Sequence, residues 1–328
     1  MRTRLALAGG LALLVVVGFL AGAALWGYLR FEAPGPATVE TTVRIPQGLG
    51  VNTIGHQLAD AGVIDSPRLF SLGVRLLSGG RPLQAGEYRF PAGVSSRQVM
   101  ETMIEGRTVR RRLTVAEGLT TAEIMALLAE AEGLEGDLPP DSEWPDQGTL
   151  LPETYFYSWG DSRAALLERM AGAMDEALAE LWLDRAPNLP LRTPREALTL
   201  ASIVEKETGV ASERPRVAAV FINRLNMGMP LQSDPTVIYA VTQGKEVLGR
   251  SLTRRDLAND HPYNTYMNPG LPPGPIAHPG RAAIEAVLNP MQTDELYFVA
   301  DGNGGHAFAK TLAEHNRNVA RWRALMRQ

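Results

Sequence analysis

The chain has 328 residues, of which 45% are hydrophobic and 21% charged, so its length favours about two domains and its balance excludes a disordered or collagen-like protein. Its 32 basic and 36 acidic residues give a net charge of −4, which disfavours a dedicated nucleic-acid binder because such a protein would carry a basic surplus. The chain contains no cysteine, which excludes disulfides, thiolate metal sites and cysteine nucleophiles.

The N-terminus holds an uncharged apolar run from Leu5 to Leu29. About 20 apolar residues suffice to cross a bilayer core, and the arginines that precede the run favour a cytoplasmic N-terminus. Trp26 and Tyr28 stand where an interfacial aromatic belt is expected. We therefore predict a transmembrane anchor over residues 1–30, with the rest of the chain outside the cytoplasm.

A cleaved signal peptide is the alternative interpretation, since small residues at 21–23 offer a cleavage site. The apolar core of a signal peptide usually has only about 7–15 residues, and this run is longer, so the uncleaved anchor is favoured. Residues 31–40 are predicted to be a linker, with the Pro-rich stretch 33–36 as a hinge and the remainder as a soluble body on a short tether.

A strand, a glycine turn and a helix recur three times, with the glycines at Gly48, Gly93 and Gly118. In each repeat an apolar pair follows the glycine by six and ten residues, which is the spacing of one buried helix face. We expect each glycine to adopt a positive φ at its turn. The apolar pairs are Ile54 and Leu58, Val99 and Met103, and Ile124 and Leu128.

Between the first two repeats, Ser66 and Pro67 predict the start of another helix. Thr41 to Phe90 therefore has the order strand, helix, helix, strand, and residues 41–107 are predicted to form a small domain. The order resembles a LysM-like module of the kind that holds glycan strands. A packing domain without a ligand is the alternative.

Residues 108–328 are predicted to form the second domain. It begins with a strand–helix unit, and an acidic, Pro-rich loop ending at residue 146 leads into its main part. A long helix follows, and its apolar stripe is expected to face the core. The stripe consists of Leu166, Leu167, Met170, Met174, Leu178 and Leu181.

The next helix, predicted from Thr193 to Thr208, carries two carboxylates in its last turn. Glu207 shares its helix face with Leu200, Ile203 and Val204, whereas Glu205 shares its face with Leu198, Ala201 and Ser202. Because an apolar neighbourhood raises the pKa of a carboxyl group, Glu207 is the better candidate for a general acid. Glu205 is expected to orient Lys206 or another neighbour. A solvated last helical turn is the alternative.

Several blocks in one order carry a resemblance that covers nearly the whole chain. They are LPETY (151–155), ASIVEKET (201–208), VFINRL (220–225), LQSDPTVIY (231–239), YNTY (263–266), GLPPGPI (270–276), YFVADG (297–302), Gly305-His306 and His315-Asn316. This pattern resembles the MltG (YceG-like) family of endolytic murein transglycosylases. The chain departs from it at Glu153, where aspartate is common in the family.

The resemblance implies an α+β protein: an N-terminal transmembrane helix, a small LysM-like βααβ module and a larger mixed α+β catalytic domain. It implies cleavage of MurNAc-β-1,4-GlcNAc bonds within peptidoglycan strands, leaving 1,6-anhydro-MurNAc ends, on nascent glycan whose strand length the enzyme sets. It also implies that Glu207 is the catalytic acid and base. No cofactor or metal is expected.

The implied location is the inner membrane, with a single pass, a cytoplasmic N-terminus and a periplasmic body. The implied partners are peptidoglycan glycan strands and that membrane, and the candidate protein partners are peptidoglycan synthases (penicillin-binding proteins) and the division or elongation machinery. No nucleic-acid partner is expected.

Eight further residues are candidates for substrate binding: Gln232, Asp234, Tyr263, Asn264, Tyr266, Glu153, Glu205 and His306. Several of them have a structural alternative. Asp234 before Pro235 could cap a helix, the tyrosines and asparagine at 263–266 could pack a loop, and His306 could lie in a hairpin turn. The five histidines lack the H-E-x-x-H spacing of a zinc site.

Two rival functions remain. Ser202 and Lys206 are four residues apart on one helix face, as in a Ser/Lys hydrolase. The chain could also be a cell-wall scaffold whose enzyme-like part is inactive, although the intact 205–208 block argues against that.

Overall fold

The structure is a computed structural model that describes residues 2–327, with side chains from residue 11 onward except at residue 12. The helices are α1 (Arg2–Glu32), α2 (Val51–Asp60), α3 (Pro67–Leu77), α4 (Ser96–Ile104), α5 (Thr121–Glu130), α6 (Arg163–Leu183), α7 (Pro194–Glu207), α8 (Arg214–Asn226), α9 (Asp234–Thr242), α10 (Arg254–Leu257), α11 (Arg281–Leu288) and α12 (Leu312–Leu325). The strands are β1 (Thr41–Ile45), β2 (Gly86–Phe90), β3 (Arg111–Thr114), β4 (Thr154–Tyr157), β5 (Tyr297–Ala300) and β6 (His306–Ala309). The mixed α+β fold class is confirmed.

Two compact units divide the chain. The first contains the chain up to Arg111 together with Glu132–Leu134 and Phe156–Asp161, and the second contains the remainder. The short segments around 132–134 and 156–161 thus join the first unit, although the sequence assigned them to the second domain.

The first unit contains an antiparallel pair of strands, in which Thr41 of β1 lies opposite Phe90 of β2 and Ile45 lies opposite Gly86. The predicted order of strand, helix, helix, strand is confirmed. Helices α2, α3 and α4 bury their apolar sides with the sheet in one core. The largest fully buried side chains of that core include Phe70, Tyr88 and Phe90.

The helix cap and the glycine turns predicted from the sequence are present in the structure. Ser66 Oγ accepts a hydrogen bond from the Leu69 N–H at 3.3 Å, and Pro67 begins α3. The glycines of the three repeats have φ values of +80° at Gly48, +69° at Gly93 and +79° at Gly118. A side chain is strained in this left-handed region, so glycine is the residue that closes each turn without strain.

The segment after α1 is packed, although the sequence predicts a hinge and a tether there. Phe31 is 2% exposed within the first core. The Gly35 N–H donates to the Val94 carbonyl at 3.1 Å, and Glu32 forms a 2.6 Å ion pair with Arg97. These contacts hold the segment against the first unit.

Helix α1 is long and apolar enough to cross a membrane over Leu13–Glu32, and apart from Phe31 that stretch is not buried in the protein. Length and composition are therefore compatible with a membrane anchor.

The second unit is built around α7, which packs against α6, α8, α9 and α11. Its residues from Ala197 to Val204 are buried on every side of the helix, so α7 is a central core element. The predicted stripe on α6 faces this unit's interior, with Leu166, Met170, Met174 and Leu181 buried. Short antiparallel strands β5 and β6 form a hairpin in the same unit.

Candidate active site

Helix α7 places Glu207 at its C-terminus. The helix starts with the predicted capping box, in which the Thr193 hydroxyl accepts from the Glu196 N–H and the Glu196 carboxylate accepts from the Thr193 N–H. Its last helical residue is Glu207. The negative end of the helix dipole disfavours a carboxylate at this end, which adds to the tendency of Glu207 to keep a proton.

Ser233 is the direct partner of Glu207. Its Oγ donates a hydrogen bond of 2.5 Å to Glu207 Oε1. Ser233 is only 1% exposed, and its N–H donates to Thr265 Oγ1 at 3.0 Å. The hydroxyl of Thr236 lies 2.8 Å from Thr265 Oγ1 and donates to the Ser233 carbonyl at 2.7 Å. This buried network fixes the hydroxyl that holds the carboxyl group.

The electrostatic environment keeps Glu207 titratable near neutrality. Burial is the largest effect and raises the pKa of Glu207 to about 7. The Ser233 hydrogen bond lowers this pKa, the negative charge of Asp234 raises it, and the charges of His306 and Arg224 lower it. A carboxyl group with a pKa near 7 can both give and take a proton at neutral pH.

Asp234 does not cap α9, which was the structural alternative. The N-cap is Ser233, no side chain caps the helix, and Asp234 is the first helical residue. The hydroxyl of Tyr266 donates to Asp234 Oδ1 at 2.7 Å. Burial and this hydrogen bond raise the pKa of Tyr266, so the phenol remains a donor. The structure thereby groups Asp234 and Tyr266 beside Glu207.

Gln232 lies at a backbone turn next to Ser233. Its φ is +50°, its N–H donates to the Thr265 carbonyl at 3.1 Å, and its side chain is exposed. Because of this turn, the Ser233 side chain is buried and the Gln232 side chain is exposed on the surface.

The loop containing residues 263–266 is held by its own polar groups. Asn264 is fully buried; its amide donates to the carbonyls of Leu257 and Asn259, and its Oδ1 accepts from the Tyr266 N–H. Tyr263 packs against Tyr239 with ring centroids 4.7 Å apart. In this structure Asn264 therefore shapes the loop that presents Tyr266, which corresponds to the packing alternative.

His306 begins β6 at the end of the glycine-rich hairpin. Its Nδ1 lies 2.7 Å from Glu213 Oε2, and its backbone N–H donates to Glu213 Oε1 at 3.0 Å. The same carboxylate thus holds both the ring and the backbone of His306. The ring packs edge-on against Phe298, and its charge acts on Glu207.

Arg224 is a buried cation that was not among the site residues predicted from the sequence. Its guanidinium donates to the carbonyls of Leu296 and Leu231, each at 2.7 Å, and its charge acts on Glu207. A buried cation is costly unless its charge is compensated. The sequence signal for Arg224 was an arginine just after the apolar stretch 217–222 of α8. Ser233 lies inside the LQSDPTVIY block, but no sequence pattern predicted that it would contact Glu207 or that Glu213 would contact His306.

Glu205 is buried as well, although the helix face predicted a more polar setting. Its side chain is 5% exposed, and it accepts from the Gly280 N–H at 3.0 Å. Arg214 lies 3.6 Å from Glu205 and 3.2 Å from Glu117. Burial raises the pKa of Glu205, against the lowering effects of Gly280 and Arg214. Glu205 therefore belongs to an ion-pair cluster that joins separate loops.

Glu153 lies in a different neighbourhood. Its side chain is exposed just before β4, and its carbonyl accepts from the Val115 N–H at 2.9 Å. Its charge acts on Tyr155 and Arg281, and it is not among the main charges that act on Glu207.

Ser202 and Lys206 do not form the hydrogen-bonded pair that a Ser/Lys hydrolase requires. Ser202 is fully buried; its hydroxyl donates to the Thr199 carbonyl at 2.7 Å and accepts from the Ile276 N–H at 3.0 Å. The Lys206 ammonium donates instead to the Gly118 carbonyl at 3.1 Å. Within residues 2–327, no group of three or more His, Cys, Asp or Glu side chains could hold a metal ion.

Comparison with known proteins adds a further line of evidence. A protein of Bacillus subtilis (strain 168) named endolytic murein transglycosylase is 32% identical over 333 residues, covering 91% of this chain and 89% of its own. A protein of the same name from Streptococcus pneumoniae serotype 2 (strain D39) is 33% identical over 325 residues, covering 85% of this chain and 58% of its own.

Among solved structures, the crystal structure of a YceG-like protein from Listeria monocytogenes matches with a TM-score of 0.52 and 32% identity. The match covers 86% of this chain and 99% of that one. The model of the YceG-like family matches residues 43–321, which include most of both units and the residues described around Glu207. The chain therefore belongs to the YceG-like family.

Proposed function

We propose that this chain is an endolytic transglycosylase that cuts the β-1,4 bond between MurNAc and GlcNAc inside peptidoglycan strands. The relatives that share about a third of its residues are named endolytic murein transglycosylases. The observation that carries the proposal is the Glu207 carboxyl group, with its pKa raised to about 7 and its orientation held by Ser233. These properties suit a single general acid and base.

In the proposed reaction, protonated Glu207 donates its proton to the glycosidic oxygen as the bond from that oxygen to C1 of MurNAc breaks. The C6 hydroxyl of the same MurNAc then attacks C1, and Glu207, now a carboxylate, accepts the hydroxyl proton. One C–O bond breaks, one forms, and the proton on Glu207 is restored. The products are a 1,6-anhydro-MurNAc end and a free GlcNAc hydroxyl, without water.

One carboxyl group is enough for this route because the nucleophile belongs to the substrate. Most glycosidases need a second carboxylate as nucleophile or to activate water. Asp234, whose charge acts on Glu207, stands next to it, and we assign it to substrate binding and to stabilising positive charge at C1.

Four exposed or partly exposed side chains near Glu207 are the proposed sugar contacts: Gln232, Asp234, Tyr266 and His306. Tyr263, which packs on Tyr239 and lies near Arg195 at the start of α7, is proposed to contact a sugar further along the strand. Asn264 and Glu205, which are occupied by intramolecular hydrogen bonds, are proposed to support these contacts from within the protein.

We further propose that α1 anchors the protein in the inner membrane with the body in the periplasm, as the uncharged span supports. The βααβ part of the first unit is proposed to hold glycan in the manner of a LysM module. An anchored enzyme of this kind would act on nascent strands and set their length, beside peptidoglycan synthases and the division or elongation machinery.

The test is mass spectrometry of products from purified glycan strands incubated with the full-length protein. We expect internal fragments ending in 1,6-anhydro-MurNAc, and their absence with Glu207→Gln. Products with reducing MurNAc ends would instead indicate hydrolysis by water. No cleavage by a folded parent protein would support the inactive scaffold.

A further inference from the structure

Glu213 is a carboxylate beside the site that the proposed reaction does not use. It ends the short turn Ala211–Glu213 after α7 and is the N-cap residue of α8. One of its oxygens accepts the His306 backbone N–H at 3.0 Å, and the other lies 2.7 Å from Nδ1 of the same residue. The N-terminus of a helix favours a negative charge, so this position suits an ionised carboxylate.

An ionised carboxylate determines which ring nitrogen of His306 carries the proton. Because it can only accept hydrogen bonds, the 2.7 Å contact requires the proton to be on Nδ1. In the neutral ring the free lone pair is then on Nε2. Within the part of the chain that the structure describes, Nε2 has no hydrogen-bond partner, and the side chain is 16% exposed.

Aromatic rings hold the His306 imidazole in this orientation. Phe298 packs edge-on against it with ring centroids 5.3 Å apart, and Phe308 does so at 6.2 Å. The charge of His306 acts on Glu207, so the imidazole lies within electrostatic reach of the proposed acid. Nε2 is therefore the ring nitrogen that a molecule bound near Glu207 can use.

Gly305 makes the approach of Glu213 possible. A Cβ atom at position 305 would stand 2.7 Å from Glu213 Oε1, so a side chain there would push the carboxylate away. The end of the hairpin is fixed as well, because Asp301 Oδ1 accepts from the N–H groups of Asn303 and Gly305 at 2.7 and 3.1 Å. The residue without a side chain is thus placed against the carboxylate, directly before the histidine that the carboxylate binds.

We propose that Glu213 is a positioning residue that keeps His306 in the Nδ1–H form, so that Nε2 accepts a hydrogen bond from a hydroxyl group of the bound glycan. The proposal rests on the role of His306 as a sugar contact in the proposed function. Glu213 acts through the orientation and the tautomer of His306, and it does not touch the sugar itself.

Glu213→Gln in the full-length protein inverts the tautomer. When the glutamine oxygen accepts the His306 backbone N–H, its amide group donates to Nδ1, and the proton of the neutral ring moves to Nε2. We expect ¹⁵N NMR to show the proton on Nδ1 in the parent and on Nε2 in the variant, at a pH where the nitrogen shifts report a neutral ring. Comparison with His306→Gln identifies the signals of this residue among the five histidines.

The same variant should lower kcat/KM for the release of anhydro-muropeptides by about tenfold, the contribution of one hydrogen bond. Glu246→Gln, which removes an exposed carboxylate of the loop after α9, is the matched control and should change neither measurement. Gly305→Ala keeps both partners but displaces the carboxylate, so it should lower kcat/KM in the same way. Circular dichroism checks each fold.

A double-variant comparison separates positioning from a structural role. In His306→Gln the amide oxygen stands in for Nε2 without needing a tautomer, so adding Glu213→Gln should cause no further loss. Equal losses with and without the imidazole would overturn the proposal, and so would the same tautomer in the parent and in Glu213→Gln. A parent that carries the Nδ1 proton but releases no anhydro-muropeptide would overturn the proposed function and the sugar contact, and not the pairing of Glu213 with His306.

Discussion

The last turn of α7 places two carboxyl groups, Glu205 and Glu207, in two different surroundings. Both are desolvated, and burial raises the pKa of both. Around Glu205 lie the Arg214 guanidinium and the Gly280 N–H, which compensate a negative charge. Around Glu207 lie the Ser233 hydroxyl and a neighbouring negative charge on Asp234.

The difference shows that burial by itself does not make a general acid. A buried carboxylate that is held by a cation and a backbone donor serves as a structural ion. A buried carboxyl group held by a neutral hydroxyl next to another carboxylate exchanges its proton near neutral pH. Whether neighbouring groups compensate the negative charge therefore distinguishes the structural role of Glu205 from the proposed catalytic role of Glu207.

The largest expected effect comes from Glu207→Gln. Glutamine keeps the size and can still accept from Ser233, but it cannot protonate a leaving oxygen. We expect activity to fall by about 10²–10⁴-fold, the usual contribution of a general acid and base. Release of anhydro-muropeptides measures the loss, and circular dichroism checks the fold. Parent-level activity in this variant would remove Glu207 from the mechanism.

The same substitution should stabilise the protein at high pH. Because the folded-state pKa of about 7 exceeds the ordinary value of 4.5, the stabilising contribution of the protonated carboxyl is complete below pH 4.5 and is lost as pH rises through 7. The free energy of unfolding of Glu207→Gln should therefore exceed that of the parent at pH 8 by on the order of 1–3 kcal/mol and be similar to it at pH 4. A difference that does not change between pH 4 and pH 8 would contradict the raised pKa.

Ser233→Ala tests the hydroxyl that distinguishes the Glu207 site. Loss of orientation should lower kcat by about 10-fold, the equivalent of one hydrogen bond of about 1.4 kcal/mol. Since this bond lowers the pKa of Glu207, its removal should also move the alkaline fall in activity from about pH 7 to higher pH. Ser233→Thr, which keeps a hydroxyl, is the matched control. An unmoved pH profile in the alanine variant would argue for a purely structural serine.

Asp234→Asn should change the pH profile in the opposite direction. The charge of Asp234 raises the pKa of Glu207, so removing that charge should move the alkaline fall to lower pH, by less than about one unit. Asparagine can still accept from the Tyr266 hydroxyl. Tyr266→Phe keeps the charge and should leave the profile in place. An unmoved pH profile with Asp234→Asn would show that the charge of Asp234 does not act on Glu207.

Glu205→Gln should have the smallest effect on catalysis. We expect activity within a few-fold of the parent at 25 °C. Because burial leaves the pKa of Glu205 raised despite Arg214 and Gly280, the neutral glutamine should cost little free energy of unfolding at pH 7. Glu117→Gln, which removes the more exposed partner of the same arginine, is the matched control. A folded Glu205→Gln protein that releases no product would reverse the assignment of the acid.

The sequence by itself determined the local features of this protein. Capping residues gave the start of α7, glycines gave the left-handed turns before α2, α4 and α5, and helical spacing predicted Glu207 beside apolar neighbours. These features follow from residues within one or two turns of each other, where backbone geometry fixes which side chains are neighbours. The order of strands and helices in the first unit followed for the same reason.

The tertiary structure decided the partners that give each carboxyl group its role. Ser233 reaches Glu207 across 26 positions in the chain, and Glu213 holds His306 across 93 positions. A helical face predicts which side chains point together, but not which loop covers that face. For this reason the polar-looking side of α7 proved to be closed over Glu205 by Gly280 and Arg214. The surroundings of a buried charge depend on packing between distant segments, and that packing exists only in the folded chain.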